Sequence, residues 1–220
     1  MLVHTLLVIH IAVLGYWLGA ELVINANFRF VTHASAMPFD QRDRLLDHVL
    51  DVDQHVRYAL ILQAGLGVML AALLGYLPGG DALALMAALL AGAWLVLVEF
   101  THRLRRQPTG PLLARADAAL RYTLMAALIA TGVAVSAGVL SLPGWLATKL
   151  LLFAAVILCG LGIRWAITQY YKSWFVLERE GSTVKLDTEL RRRYWQATTI
   201  LLVLWALIAG IVALSVGKLT

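Results

Sequence analysis

The chain has 220 residues, of which 61% are hydrophobic and only 14% charged, and its mean hydropathy is +0.80. An ordinary soluble domain is about one quarter charged and about half apolar, so the composition excludes a soluble globular enzyme, a disordered chain and a nucleic-acid-binding module. In so apolar a chain the net charge of +5 reads as basic residues gathered at one membrane face. The single cysteine, Cys159, excludes a disulfide framework and a cysteine-rich zinc site. The expectation is an all-α, polytopic transmembrane bundle of six helices, forming one domain over 1–220.

The first apolar run covers 2–23. No basic stretch precedes it and no small-residue cleavage site follows, so a retained transmembrane helix is expected rather than a signal peptide. Five further apolar stretches follow at 55–76, 82–102, 118–141, 146–169 and 196–217. Each is long enough to cross a hydrocarbon core of about 30 Å. Leu77-Pro78-Gly79-Gly80 and Leu142-Pro143-Gly144 read as tight hairpin tips, because proline cannot continue the helical ladder and glycine permits the turn.

The other connections, 24–54, 103–117 and 170–195, are longer and charged, and the first is expected to be partly helical. Of the 18 Lys and Arg residues, all but Lys149 and Lys218 lie in or next to these three segments. The positive-inside rule then makes the three segments cytoplasmic and puts both termini outside. An internal echo accompanies this pattern. Asp53-x-x-x-Arg57-Tyr58 opens the second span and Asp117-x-x-x-Arg121-Tyr122 the fourth. It reads either as two related hairpins or as two helices that each want an acidic N-terminus and an anchoring arginine.

Ionisable groups inside a membrane span are costly and mark partners, cavities or cofactors. His10, Trp17 and Glu21 fall within roughly 40° of one another at about 100° per residue, so this face should point into the bundle. Gly15 and Gly19 form a G-x-x-x-G pair that would let another helix approach closely. Glu99 and His102 share a helix face in a spacing also used by metal-binding bundles, although a di-iron site needs two copies. His55 and His102 lie near the inner ends of neighbouring antiparallel spans, which suits the two axial ligands of a low-spin b haem. His10 has no histidine partner at its depth, which suits a haem with an open position. Each histidine and carboxylate also has a plain reading, as a packed core group or a solvated helix end. His4 lies off the His10 face, and His33 and His48 read as solvated. Gln63 is expected to bond a neighbouring helix, Lys149 and Arg164 to snorkel, and Trp145, Trp174 and Trp195 to lie in interfacial belts. No nucleotide loop, zincin motif or nucleophile elbow is present.

His10-Ile-Ala-Val-Leu-Gly-Tyr-Trp17-Leu-Gly-Ala, followed by Arg29-Phe-Val-Thr-His33-Ala and a charged segment, resembles the opening of the HemJ and CopD-like membrane proteins. Gly144-Trp-Leu-Ala-Thr-Lys149-Leu-Leu-Leu-Phe is similar to the helix of that group that begins with Trp and carries a Lys. HemJ proteins are haem-b protoporphyrinogen oxidases, and CopD-like relatives are linked to copper handling. The resemblance implies that His10 matches the family's first-helix histidine and Lys149 its lysine. It covers roughly 4–76 and 144–165. The departures are six spans where HemJ has four, an arginine about three residues late, and a Trp-Lys helix that is fifth rather than third.

Together these readings predict a haem-b-binding redox protein of the bacterial cytoplasmic membrane. The haem site would draw on His10, His55, His102, Glu21, Glu99 and Lys149, with iron on His10 or on the His55/His102 pair. It would be an oxidoreductase passing electrons to quinone, with a porphyrin as a further possible ligand and a second copy or a membrane redox protein as partner. The alternatives are a copper-handling protein using the same histidines, against which few Cys and Met speak, and a cofactor-free anchor or assembly subunit docking through 24–54 and 170–195.

Overall fold

The computed structural model describes residues 1–105 and 107–217; Arg106 and Lys218, counted above among the basic residues, lie outside them. Among the described residues there are six helices and no strand: α1 (Leu2–His33), α2 (Phe39–Leu73), α3 (Gly80–Arg103), α4 (Gly110–Ser136), α5 (Gly144–Glu180) and α6 (Val184–Val216). All six are long and apolar enough to cross a membrane. The chain is an integral membrane protein. Exposed large side chains such as Leu89, Leu90, Leu202 and Val203 are the surface it offers to lipid.

At their charged ends α1, α2, α4, α5 and α6 run well past the expected spans, whereas at the opposite ends α2 stops at Leu73 and α4 at Ser136, short of the expected 76 and 141. Segment 24–54 is helix except at 34–38, and segment 170–195 is helix except at 181–183. Polarity ends a membrane span but does not end a helix; the breaks fall where backbone chemistry demands them. Gly181 has φ +77° and donates its N–H to Leu177 O, closing α5. Thr183 then caps α6 by accepting from Leu186 N at 3.3 Å. At the α2–α3 tip Gly79 has φ +112°, and a Cβ there would lie 2.9 Å from Leu83 Cβ, so no other residue fits.

The chain forms two compact units. The first comprises Met1–Glu21, Val52–Leu124 and Ser141–Pro143. In it Leu6 of α1 packs on Leu66 and Leu70 of α2. As expected, Gln63 bonds a neighbouring helix: its Nε2 donates to His10 O at 2.8 Å. The close helix approach, however, is at Gly65, where an added Cβ would come within 2.7 Å of Ala91 Cβ on α3. Gly15 and Gly19 have nothing within 4 Å of theirs, so no described helix uses the G-x-x-x-G face.

The second unit comprises Leu22–Asp51, Met125–Leu140 and Gly144–Thr220. Its core gathers Phe28, Val31, Leu46, Val49, Tyr170, Trp174, Leu177, Leu190 and Tyr194, so much of it comes from the charged segments. Trp174 is not an interfacial residue as expected; it is fully buried, stacked on Tyr170 at 5.7 Å. Arg42, also buried, places its guanidinium 5.0 Å from the Trp174 ring centre and donates Nε–H to Val31 O. Trp174 Nε1 donates to Asp43 at 2.9 Å. The indole satisfies both its π-face and its N–H here, which outweighs a place in the interface.

Candidate functional site

The sequence-predicted site residues of the first unit, His10, Glu21, His55, Glu99 and His102, lie on α1, α2 and α3. The α1 face predicted to point inward does so at Trp17 and Glu21, which are 3% and 6% exposed. One helical turn separates them, and Trp17 Nε1 donates to Glu21 Oε1 at 2.7 Å. Within this bond the indole answers one carboxylate oxygen inside an apolar span, where an unanswered one would be expensive. His10 lies further out, half-buried, with its ring against Gly67 of α2; a Cβ on Gly67 would sit 3.8 Å from His10 Cε1.

His55 lies on the side of α2 that meets α1. Its Nδ1 is hydrogen-bonded to the hydroxyl of Tyr16, whose ring meets the imidazole edge-on at 5.9 Å. Both residues are exposed at the flank of the chain. With Nδ1 committed to the phenol, Nε2 is the ring nitrogen left for another ligand. One turn further along α2, Tyr58 donates to Glu99 Oε2, and Arg103 Nε donates to Glu99 Oε1. Both carboxylate oxygens of Glu99 therefore have protein donors, from α2 and from its own helix.

His102 is half-buried near the end of α3 and lies beside Arg105, with Nδ1 3.2 Å from Arg105 Nη1. Gln54 Nε2 donates to Val98 O at 3.1 Å, which fixes the level of α2 against α3. Antiparallel travel then separates the levels of His55 and His102 by roughly 7 Å at 1.5 Å per residue. The two imidazoles face different neighbours: His55 turns to α1, His102 to the chain leaving α3. Lys149 belongs to the second unit, where its Nζ donates to Ser215 Oγ of α6 at 3.0 Å; the bond to α6 replaces a purely outward reach. His33 is exposed and bonds Arg29 O through Nδ1 at 2.8 Å. Among the described residues, no three His, Cys, Asp or Glu side chains converge as a metal-ion site.

Three features escaped the reading of single positions. Tyr16 and Tyr58 are the hydrogen-bond partners of His55 and Glu99, yet a tyrosine in an apolar run carries no periodic signal of its own. The third is a buried group: Asp117 accepts from Arg121 Nη2 at 2.7 Å, Arg121 Nε at 3.3 Å and Trp94 Nε1 of α3 at 2.9 Å. The sequence echo pointed to it. Asp53 and Arg57 form the same i,i+4 ion pair at 3.2 Å, in a more solvated place. The echo stops at the tyrosines, for Tyr122 is exposed where Tyr58 is bonded.

Comparison with protein-family models, with curated proteins and with solved structures finds no match. The class defined by the fold is a six-helix integral membrane protein with a tyrosine-held histidine on the flank of its first unit.

Proposed function

We propose that this chain is a haem-b-binding redox protein of the bacterial cytoplasmic membrane, with His55 as an iron ligand. The observation that carries the reading is the Tyr16–His55 bond. A ligating histidine nearly always gives its other ring N–H to an oxygen acceptor, which fixes the tautomer and the ring plane. Tyr16 Oη accepts from Nδ1–H in the tautomer that frees Nε2 for iron, and both residues are exposed. Beside Tyr16 on α1, a Cβ built on Gly15 or Gly19 would meet nothing within 4 Å, which leaves room there for one face of a macrocycle.

Bound haem would supply a one-electron iron centre. The chain's own residues do the rest. Tyr16 orients His55, and Tyr58 with Arg103 holds Glu99 as a hydrogen-bond acceptor at the inner end of the span. His10 is the second candidate ligand and His102 the third; the level difference between His55 and His102 favours one protein ligand and an open position over a His55/His102 pair. The resemblance to HemJ and CopD-like proteins supports the same reading. On it, the activity is an oxidoreductase reaction with a porphyrin or quinone as the membrane-soluble reactant.

The test is haem content in purified variants. His55→Ala should lose the Soret band while inserting normally, and Tyr16→Phe should keep haem with an altered midpoint potential. A Soret band of full intensity in His55→Ala would overturn the ligand assignment. A colourless wild type after growth with ample haem would overturn the haem reading and favour the anchor alternative. Copper in that colourless sample, lost in the histidine variants, would favour the copper one.

A further inference from the structure

The last helix carries a face that the haem reading does not use. At about 100° per residue, Arg191, Trp195 and Leu202 of α6 fall within roughly 40° of one another, and Arg192, Thr199 and Val203 flank them. All of these residues are exposed, and Trp195 is 55% exposed. The stripe changes chemistry along its length, from two guanidiniums through an indole to aliphatic side chains. From Arg191 to Leu202 the rise is roughly 16 Å at 1.5 Å per residue, within the roughly 20 Å of one leaflet counted with its headgroups.

The three consecutive arginines are not equivalent. Arg193 turns inward, donating to Glu189 at 2.8 Å and to Gln196. Arg192 shares Glu189 at 2.9 Å but keeps 60% of its side chain exposed. Arg191 makes no hydrogen bond or ion pair among the described residues, and the Trp195 indole N–H donates to none of them. One residual cation and one unused N–H therefore stand one turn apart, on the same face, where the apolar span begins.

We infer that this face binds an anionic phospholipid of the leaflet on the side of the charged segments. Arg191 and the free edge of Arg192 take the headgroup phosphodiester, Trp195 donates to the glycerol-ester level, and Leu202 and Val203 carry an acyl chain. The stripe runs from the headgroup level into the acyl region of one leaflet, and its order matches the order of groups along one lipid. A soluble phosphate would satisfy the arginines but would leave the indole and the aliphatic end without a role. The inference stands independently of haem binding.

Native mass spectrometry of the full chain from detergent micelles, titrated with phosphatidylglycerol or phosphatidylcholine, tests it. A cation near an anionic headgroup contributes about fivefold in affinity. Arg191→Gln should weaken phosphatidylglycerol binding by about that factor. Arg191→Gln/Arg192→Gln should weaken it further, with phosphatidylcholine binding unchanged in both. Arg191→Lys should keep most of the affinity and shows that the helix tolerates substitution there. Arg179→Gln, an exposed cation near the end of α5, is the control and should change nothing. Unchanged phosphatidylglycerol affinity in the double variant would overturn the inference. So would an equal loss in Arg179→Gln, or displacement of the lipid by an equal concentration of inorganic phosphate.

Discussion

Asp117→Asn and Asp53→Asn remove the same charge from the same motif in two environments, and their costs should differ severalfold. Asp117 is 2% exposed and its partner Arg121 10%, and three donor contacts converge on the carboxylate. Asparagine keeps the bond from Trp94 but leaves a buried guanidinium without a counter-charge. Breaking a buried pair from one side costs about 3–5 kcal/mol, and the lower end applies here because part of the hydrogen bonding survives. Asp53 and Arg57 are 33% and 21% exposed, at 3.2 Å; a pair so solvated is worth about 0.5 kcal/mol. Unfolding of the purified protein from mild detergent by added dodecyl sulfate, followed by far-ultraviolet circular dichroism, measures both. The pairwise term follows from Asp117→Leu, Arg121→Met and their double variant. The double should cost less than the sum of the singles by about 1–3 kcal/mol, because removing both charges leaves neither stranded. A loss below about 1 kcal/mol in Asp117→Asn, or strict additivity in the cycle, would refute the argument that burial separates the two pairs.

Gly65→Ala should destabilise the chain in the same assay, because its Cβ would meet Ala91 Cβ at 2.7 Å and α2 and α3 must part; Gly15→Ala, into open space, should be neutral or slightly stabilising. Thr183→Ala removes the α6 cap and should cost about 1 kcal/mol. In the part of α6 that precedes the apolar span, the hydrogen bond from Arg192 holds the Glu189 carboxyl below its ordinary value of 4.5. A depressed carboxylate stabilises the fold at pH above the unfolded value and loses that contribution as pH falls through the folded one. Glu189→Gln should therefore be less stable than wild type at neutral pH, with the gap closing below pH 4.5.

The six spans are legible in the sequence because crossing a membrane demands long apolar runs, and a helix covers most of each run. The extent of the helices is less legible. Asp, Arg and Gln between residues 39 and 54 end an apolar run yet are compatible with helix, so α2 begins at Phe39, just after Pro38, rather than at the membrane boundary. The inward face of α1 was readable at Trp17 and Glu21 because an ionisable group in a span turns away from lipid. The partner of His55 was not readable. Tyr16 lies 39 residues away, and only the packing of α1 on α2 brings the phenol to the imidazole. Trp174 shows the opposite error: its place near a span boundary suggested an interface, while Arg42 and Asp43, more than 130 residues earlier, draw it into the core.

The most direct test of the central claim is the visible spectrum of the chain purified in mild detergent after growth with ample haem, oxidised and then reduced with dithionite, beside His55→Ala and His10→Ala. The account predicts a Soret band in the wild type with α and β bands that sharpen on reduction, lost in His55→Ala and retained in His10→Ala. A colourless wild type, or a full Soret band in His55→Ala, would contradict it.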